Sequence, residues 1–373
     1  MRVFIFCILL ISVANASADP FLSQQWGFND HSIGWSAAKD IVRESFPEGY
    51  IPDASSPVAA IIDLGFTYHE DLDRHSFLHN NTIYIADCND KNVRCDVYED
   101  ITNICVNKGN CGHGNSSIGI MGAMVDNSKG IASSGFGVIK VLAIDAHYVD
   151  PSGTHINGME GASIIRATDF IIAEKSKGVN IVAVNMSFRS PSNELYESVK
   201  KLGDNGILVV AAAGYGGQNN PASFDLPNII SVAAIDAAYN MDVHTGVVHI
   251  AAPTGMMSFG ISNDYTYSGG SSAAAPFITG LLTAGAAVRQ GIAPSKLIEI
   301  LYNTSNSLPN GNKYVNAAAF MTEVAQADVT SLPSVDSGSS GGCSLAPDGK
   351  ADPGLLLLGM LLFAVVRRRR LLC

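Results

Sequence analysis

Charge is scarce in this sequence. Only 15% of its 373 residues are charged, and 23 Lys and Arg stand against 34 Asp and Glu, a formal net charge of -11. So few cations exclude a general nucleic-acid binder. The low charge also excludes a disordered, solvated chain, because 47% of the residues are hydrophobic and 36 are glycine, the composition of a packed core. No apolar run reaches the roughly 20 residues of a standard membrane span. No internal repeat is present, and no histidine stands at zinc-ligand spacing among the clustered cysteines Cys88, Cys95, Cys105 and Cys111.

Much of the apolar weight lies at the two ends. Residues 1–18 read as a secretory signal: Arg2 is the basic start, Val3 to Val13 the apolar core, and Ala14-Asn15-Ala16 or Ala16-Ser17-Ala18 the small-residue cleavage site. Export places the four clustered cysteines in an oxidising compartment, where two disulfides with three possible pairings are expected, zinc being the alternative. Residues 327–345 form a Ser/Gly-rich linker that ends on Gly341-Gly342-Cys343-Ser344. Residues 346–373 carry a short apolar span, Gly354 to Val366, followed by Arg367 to Arg370, which the positive-inside tendency would keep cytoplasmic. This layout resembles bacterial C-terminal sorting tails, and that resemblance implies a span processed by an envelope protease, with permanent anchoring as the alternative. Membrane contact is then expected through this tail alone. Residues 19–326, the expected folded domain, hold 17 Lys and Arg and 30 Asp and Glu, a net of -13.

Within that domain, short apolar runs alternate with longer helical patterns. Val58 to Ile62, Val138 to Ile144, Val179 to Val184, Ile207 to Ala211 and Ile229 to Ala234 are continuous in apolar character, as strands buried on both faces would be. Helices are expected over Ser116 to Val125, Asn157 to Ser176, Asn193 to Leu202, Ser272 to Gln290 and Pro294 to Tyr302. The order predicts an α/β domain with a mainly parallel central sheet covered by helices. Active groups in such sheets gather at the carboxyl ends of strands and at helix starts.

Three candidates stand at such places. Asp63 directly follows the run Val58-Ala59-Ala60-Ile61-Ile62, and a carboxylate buried there needs a partner. His113 precedes Gly114 and a helical segment, and Ser272 opens the long small-residue helix, with Pro276 tolerated near its first turn. Asp, His and Ser are the parts of a nucleophilic triad: Ser272 attacks a carbonyl, His113 takes and returns its proton, and Asp63 holds the imidazole.

Around these residues the sequence resembles the subtilisin-like serine proteases, the subtilases. Val58 to Gly65 with His69 and Leu72 looks like the family's aspartate motif, and His113-Gly114 with Asn127 to Ala132 looks like its histidine region. Ile250 to Pro253 and Gly270 to Pro276 look like the approach to its serine and the serine site. The resemblance implies a three-layer subtilisin-like fold, Asp63, His113 and Ser272 as catalytic residues, and protein or peptide substrates. It also implies substrate contacts at Ser187, Phe188, Arg189, Ala212 and Gly214.

The sequence departs from the family at several points. Tyr215 stands where the family has the oxyanion-hole asparagine, and its ring places the hydroxyl several Å beyond an amide, so Gln218 or Asn219 would have to reach in. Arg189 replaces a glycine of the substrate cleft, where it would narrow the cleft, pair with acidic side chains, or point to solvent. Asn115-Ser116 replaces the family's Thr-His and is expected to be tolerated. About 40 residues separate the signal from Asp63, which suggests folding without an amino-terminal propeptide. The chemistry needs no cofactor. Asp87, Asp90, Asp96, Glu99 and Asp100 offer oxygen ligands for a structural calcium, against the alternative of a solvated loop closed by Cys88 and Cys95. The expected function is an exported serine endopeptidase of the cell envelope or extracellular space, with a catalytically impaired, peptide-binding pseudoprotease as the competing reading.

Overall fold

The structure, a computed structural model, describes residues 18–47, 49–72, 83–86, 95–98, 112–149, 155–159, 161–189, 193–214, 221–242 and 247–329. Of these, residues 83, 85–86, 95–98, 147–149, 155–158 and 193 are described by backbone alone. The chain divides into two units, Met1–Val329 and Thr330–Cys373, and every described residue belongs to the first. The signal, the tail, Cys88, Cys105 and Cys111 therefore lie outside the described residues.

The first unit is built on a ten-stranded sheet. Its strands in chain order are β1 (Val58–Asp63), β2 (Ile83–Ala86), β3 (Cys95–Tyr98) and β4 (Lys140–Asp145), then β7 (Ile181–Met186), β8 (Leu208–Ala212), β9 (Ile229–Ile235) and β10 (Ile250–Pro253), with β13 (Asn306–Ser307) and β14 (Lys313–Tyr314) near one edge. Two two-stranded sheets stand apart, β5 (His147–Val149) with β6 (His155–Met159), and β11 (Met256–Phe259) with β12 (Tyr265–Ser268). Across the sheet the order is β13-β14-β10-β9-β8-β7-β1-β4-β2-β3; only the outermost strands, β13 and β3, pair antiparallel. β1 lies between β7 and β4, parallel to both. This is the α/β architecture the alternating runs predict.

Helices cover both faces. They are α1 (Trp26–Asn29), α2 (Trp35–Ser45), α3 (His113–Gly122), α4 (Gly161–Ser176), α5 (Asn193–Asp204), α6 (Ser271–Val288), α7 (Pro294–Asn303) and α8 (Ala317–Gln326). The pleat of β1 sends Ala59 and Ile61 into one apolar layer with residues of α2, α3, α6 and α8, and Val58, Ala60 and Ile62 into the other with residues of α4 and α5. Burial on both faces is why these strands read as unbroken apolar runs. α6 is long and apolar enough to cross a membrane by composition, but 89% of its window is buried inside this fold. Its small residues let it sit close to α3: a Cβ added at Gly280 would lie 2.7 Å from the Met121 carbonyl oxygen.

Several expectations are corrected. The helix expected from Asn157 begins at Gly161, because residues 155–159 pair antiparallel with 147–149, a partner that local periodicity does not reveal. The helix expected from Ser116 begins at His113 itself. Cys95 and Asp96, expected in a loop, lie in the edge strand β3, paired with β2.

Candidate active site

Asp63 closes β1, an interior strand of the sheet, and is 2% exposed. Its Oδ1 accepts the Leu64 N–H at 2.7 Å and the Nδ1–H of His113 at 2.6 Å. The Ser117 hydroxyl, one turn along α3, donates to Oδ2 at 3.5 Å. With Nδ1 committed to a carboxylate, the imidazole presents Nε2 as the nitrogen free to take a proton. The Asp63 charge raises the His113 pKa above its ordinary value; burial opposes the shift and the Asp63 hydrogen bond adds to it.

The backbone holds this pair in place. Gly114 N–H donates to the Leu64 carbonyl at 2.7 Å and Asn115 N–H to the Gly65 carbonyl at 3.4 Å, so donors at the start of α3 bind the loop that follows Asp63. That approach requires glycine, since a Cβ at residue 114 would lie 2.5 Å from the Phe66 ring. Asp145, beside Asp63 in the β1–β4 register, accepts the Gly65 N–H at 3.0 Å.

Asn115 ties the same loop twice. Its Oδ1 accepts the Thr67 N–H at 2.7 Å, and its Nδ2 donates to Thr67 Oγ1 at 2.5 Å and to the Gly260 carbonyl at 2.8 Å. It is 2% exposed. The substitution that looked merely tolerable in the sequence is thus a structural clamp beside His113. Asp145 is a second residue that sequence reasoning passed over, although its signature, a carboxylate closing a buried apolar run, is the one that singled out Asp63.

Ser272 is the second residue of α6, whose N-cap is Gly270. Ala273 and Ala274 N–H both donate to the Gly270 carbonyl, and among the described residues no acceptor takes the Ser272 N–H. That donor lies at the positive end of the helix. Pro276 stands in the second turn, further in than its expected place near the first, and has no N–H for the carbonyl four residues back. That carbonyl belongs to Ser272, and the Ser187 hydroxyl donates to it at 3.2 Å. Asn185 Nδ2 in turn donates to Ser187 Oγ at 3.0 Å, and the Gly214 N–H donates to Ser271 Oγ at 3.0 Å.

Two cavities open here. One, of about 220 Å³, is lined by Asp63, His113, Met159, Ser187, Phe188 and Arg189, with Leu64 completing the wall. The other, of about 210 Å³, is lined by Ser272 and Ser271, by Ala212, Gly214, Gly269 and Gly270, and by the same three residues Ser187, Phe188 and Arg189. The segment 187–189 is therefore a shared wall between the His113 side and the Ser272 side. Among the described residues no hydrogen bond joins the Ser272 hydroxyl to His113; contacts of this kind commonly tighten only when substrate is bound. A larger cavity, of about 770 Å³, lies between α2 and residues 124–138 and shares no residue with these two.

Tyr215, Gln218 and Asn219 lie outside the described residues. So do the acidic residues of the calcium expectation, Asp96 excepted, of which only the backbone is described. Among the described residues no group of three His, Cys, Asp or Glu is placed to hold a metal ion.

The model of the subtilase family, peptidase S8, matches residues 54–324. Thermitase from Thermoactinomyces vulgaris is 28% identical over 210 residues, which are 54% of this chain and 70% of that protein. An extracellular protease from Xanthomonas campestris is 25% identical over 349 residues, 82% of this chain but 56% of the relative, so the chain spans little more than half its length. A solved protease structure from Pseudoalteromonas arctica shares the fold, with a TM-score of 0.63 at 22% identity, over 83% of this chain and 99% of that one.

Proposed function

Because the chain belongs to the subtilase family, we propose that it is an exported serine endopeptidase that cleaves peptide bonds through an acyl-enzyme at Ser272. The observation that carries the reading is the 2.6 Å bond from His113 Nδ1 to a buried Asp63 carboxylate, with Ser272 across the shared wall 187–189. In this mechanism the Ser272 hydroxyl attacks the substrate carbonyl while His113 Nε2 takes its proton. The N–H of Ser272 donates to the developing oxyanion. His113 then gives its proton to the leaving amine, and water, activated by the same imidazole, releases the acyl group. Asp63 keeps the tautomer and stabilises the imidazolium.

Ser187, Phe188, Arg189, Ala212 and Gly214 would contact the substrate, and Gln218 or Asn219 would supply any second oxyanion donor, since the Tyr215 hydroxyl lies too far out on its ring. Export is supported by the signal-like residues 1–18 and by a relative described as extracellular. The C-terminal tail would be its membrane contact until processed.

A fluorophosphonate probe tests the proposal. Wild-type protein should be labelled and the Ser272→Ala variant should not; correctly folded wild-type protein that resists the probe would overturn the reading.

A further inference from the structure

We propose that Arg189 makes this cleft selective for peptides that carry an acidic side chain, Asp or Glu, beside the bond to be cut. The inference rests on the protease reading above and names its substrate class.

Arg189 follows a strictly placed piece of backbone. β7 ends at Met186; Ser187 is buried and bonded to the Ser272 carbonyl; Phe188 is half-buried against the apolar layer of α4 and α5. With its two predecessors held, Arg189 starts from a fixed point yet is itself exposed. It lines both cavities, and apart from His113 no other residue lining either one is basic. Asp63, the one carboxylate in those linings, is buried and already engaged by His113 and the Leu64 N–H. Among the described residues no carboxylate pairs with Arg189, whereas Lys39 and Arg43 share Asp126 and Lys177, Lys200 and Lys296 each have an acidic partner.

A guanidinium with no carboxylate partner among the described residues, at the junction of two cavities, is suited to receive a carboxylate. Its planar fork of N–H donors matches the two oxygens of Asp or Glu. The surroundings sharpen the effect. Residues 19–326 carry a net charge of -13, so an acidic peptide is repelled by the domain as a whole and attracted locally at Arg189. A side chain that only narrowed the cleft would be packed against its walls, but Arg189 is exposed and has no carboxylate partner among the described residues.

The test is a fluorogenic peptide library in which each position around the cleaved bond carries Glu, Gln, Leu or Lys, read as a ratio of kcat/KM values. Wild-type protein should favour Glu over the isosteric Gln by about three- to tenfold at one position, the size expected of a partly exposed ion pair. The ratio should shrink in high salt, fall to about one in Arg189→Gly, and turn toward Lys in Arg189→Glu. Equal Glu and Gln rates in wild type, or a preference unchanged in either variant, would overturn the proposal.

Its fate is separable from that of the protease reading. If the fluorophosphonate probe leaves Ser272 unlabelled, the same Glu and Gln peptides are titrated against Ser272→Ala protein with and without the Arg189 substitutions. A Glu/Gln affinity ratio that follows Arg189 supports the inference even then, and equal affinities discard it. Circular dichroism melts of each variant show whether it has folded.

Discussion

The Ser187 hydroxyl donates to the carbonyl of Ser272 at 3.2 Å, the carbonyl that Pro276 leaves without its helical donor. A proline in the second turn of α6 would ordinarily leave a part-buried acceptor empty, at a cost of about 1 kcal/mol. A side chain from the neighbouring wall fills that place and joins the start of α6 to the wall 187–189.

A double-mutant cycle tests this coupling. Ser187→Ala should lower the free energy of unfolding by about 1 kcal/mol. Pro276→Ala restores an N–H at residue 276, so Ser187→Ala should cost less in that background. Equal costs in both backgrounds, measured by urea titration, would show that the hydroxyl and the missing N–H are unrelated.

Asp63 raises the pKa of His113, and a general base must be unprotonated to act. Activity in wild type should therefore rise with pH along a limb set above 6.5, the ordinary histidine value. In Asp63→Asn the raising charge is gone while burial still favours the neutral ring, so the limb should move to lower pH. Turnover should fall about ten-thousandfold, because the tautomer is no longer held. A pH–rate profile that keeps its midpoint after the substitution would contradict the assignment.

Asn115→Ala removes the acceptor of the Thr67 N–H and the donors to Thr67 Oγ1 and the Gly260 carbonyl, all within a buried site. The expected loss is about 1–3 kcal/mol of stability. Fluorophosphonate labelling should also slow, since the loop that Asn115 clamps accepts the first N–H groups of α3. A melt identical to wild type would remove Asn115 from this role.

Two other carboxylates set a pH dependence of stability. Burial raises the pKa of Asp19 to about 6 and of Asp71 to about 7, from an ordinary 3.8. The folded state thus binds protons more tightly than the unfolded chain, and this contribution to stability is full below about pH 4 and lost as pH rises through 6 and 7. His113, also raised, acts in the same direction above 6.5. In metal-free buffer the melting temperature of Asp71→Asn should fall less steeply than that of wild type between pH 4 and 7. Parallel curves would exclude Asp71 as a source of the slope.

The site was legible in the sequence to different depths. Asp63 could be found because a carboxylate that ends an unbroken apolar run has nowhere to go but a buried strand end. Ser272 could be found because the small-residue run after it reads as a tightly packed helix. The sequence pattern puts His113 before its helix, whereas it is the first helical residue, because the donors that settle the boundary bond to Leu64 and Gly65, some 50 residues away in the chain. Asn115 was undervalued for the same reason: its partners, Thr67 and Gly260, are distant in sequence. The helix expected from Asn157 yields to a strand because it pairs with a separate segment, β5, and local periodicity does not register a pairing partner.

What the sequence determined by itself is the alternation of buried strands and helices, since hydrophobic periodicity is a local property and each run declares its own burial. It also carries Asp63, His113 and Ser272, the three groups proposed for acyl transfer. Only the tertiary structure decided that β1 lies between β7 and β4, that Asp63 meets His113 at 2.6 Å, and that Ser187, Phe188 and Arg189 form a wall common to His113 and Ser272. Those relations depend on strand order and on side chains filling one another's unmet hydrogen bonds, and both are settled when distant segments pack.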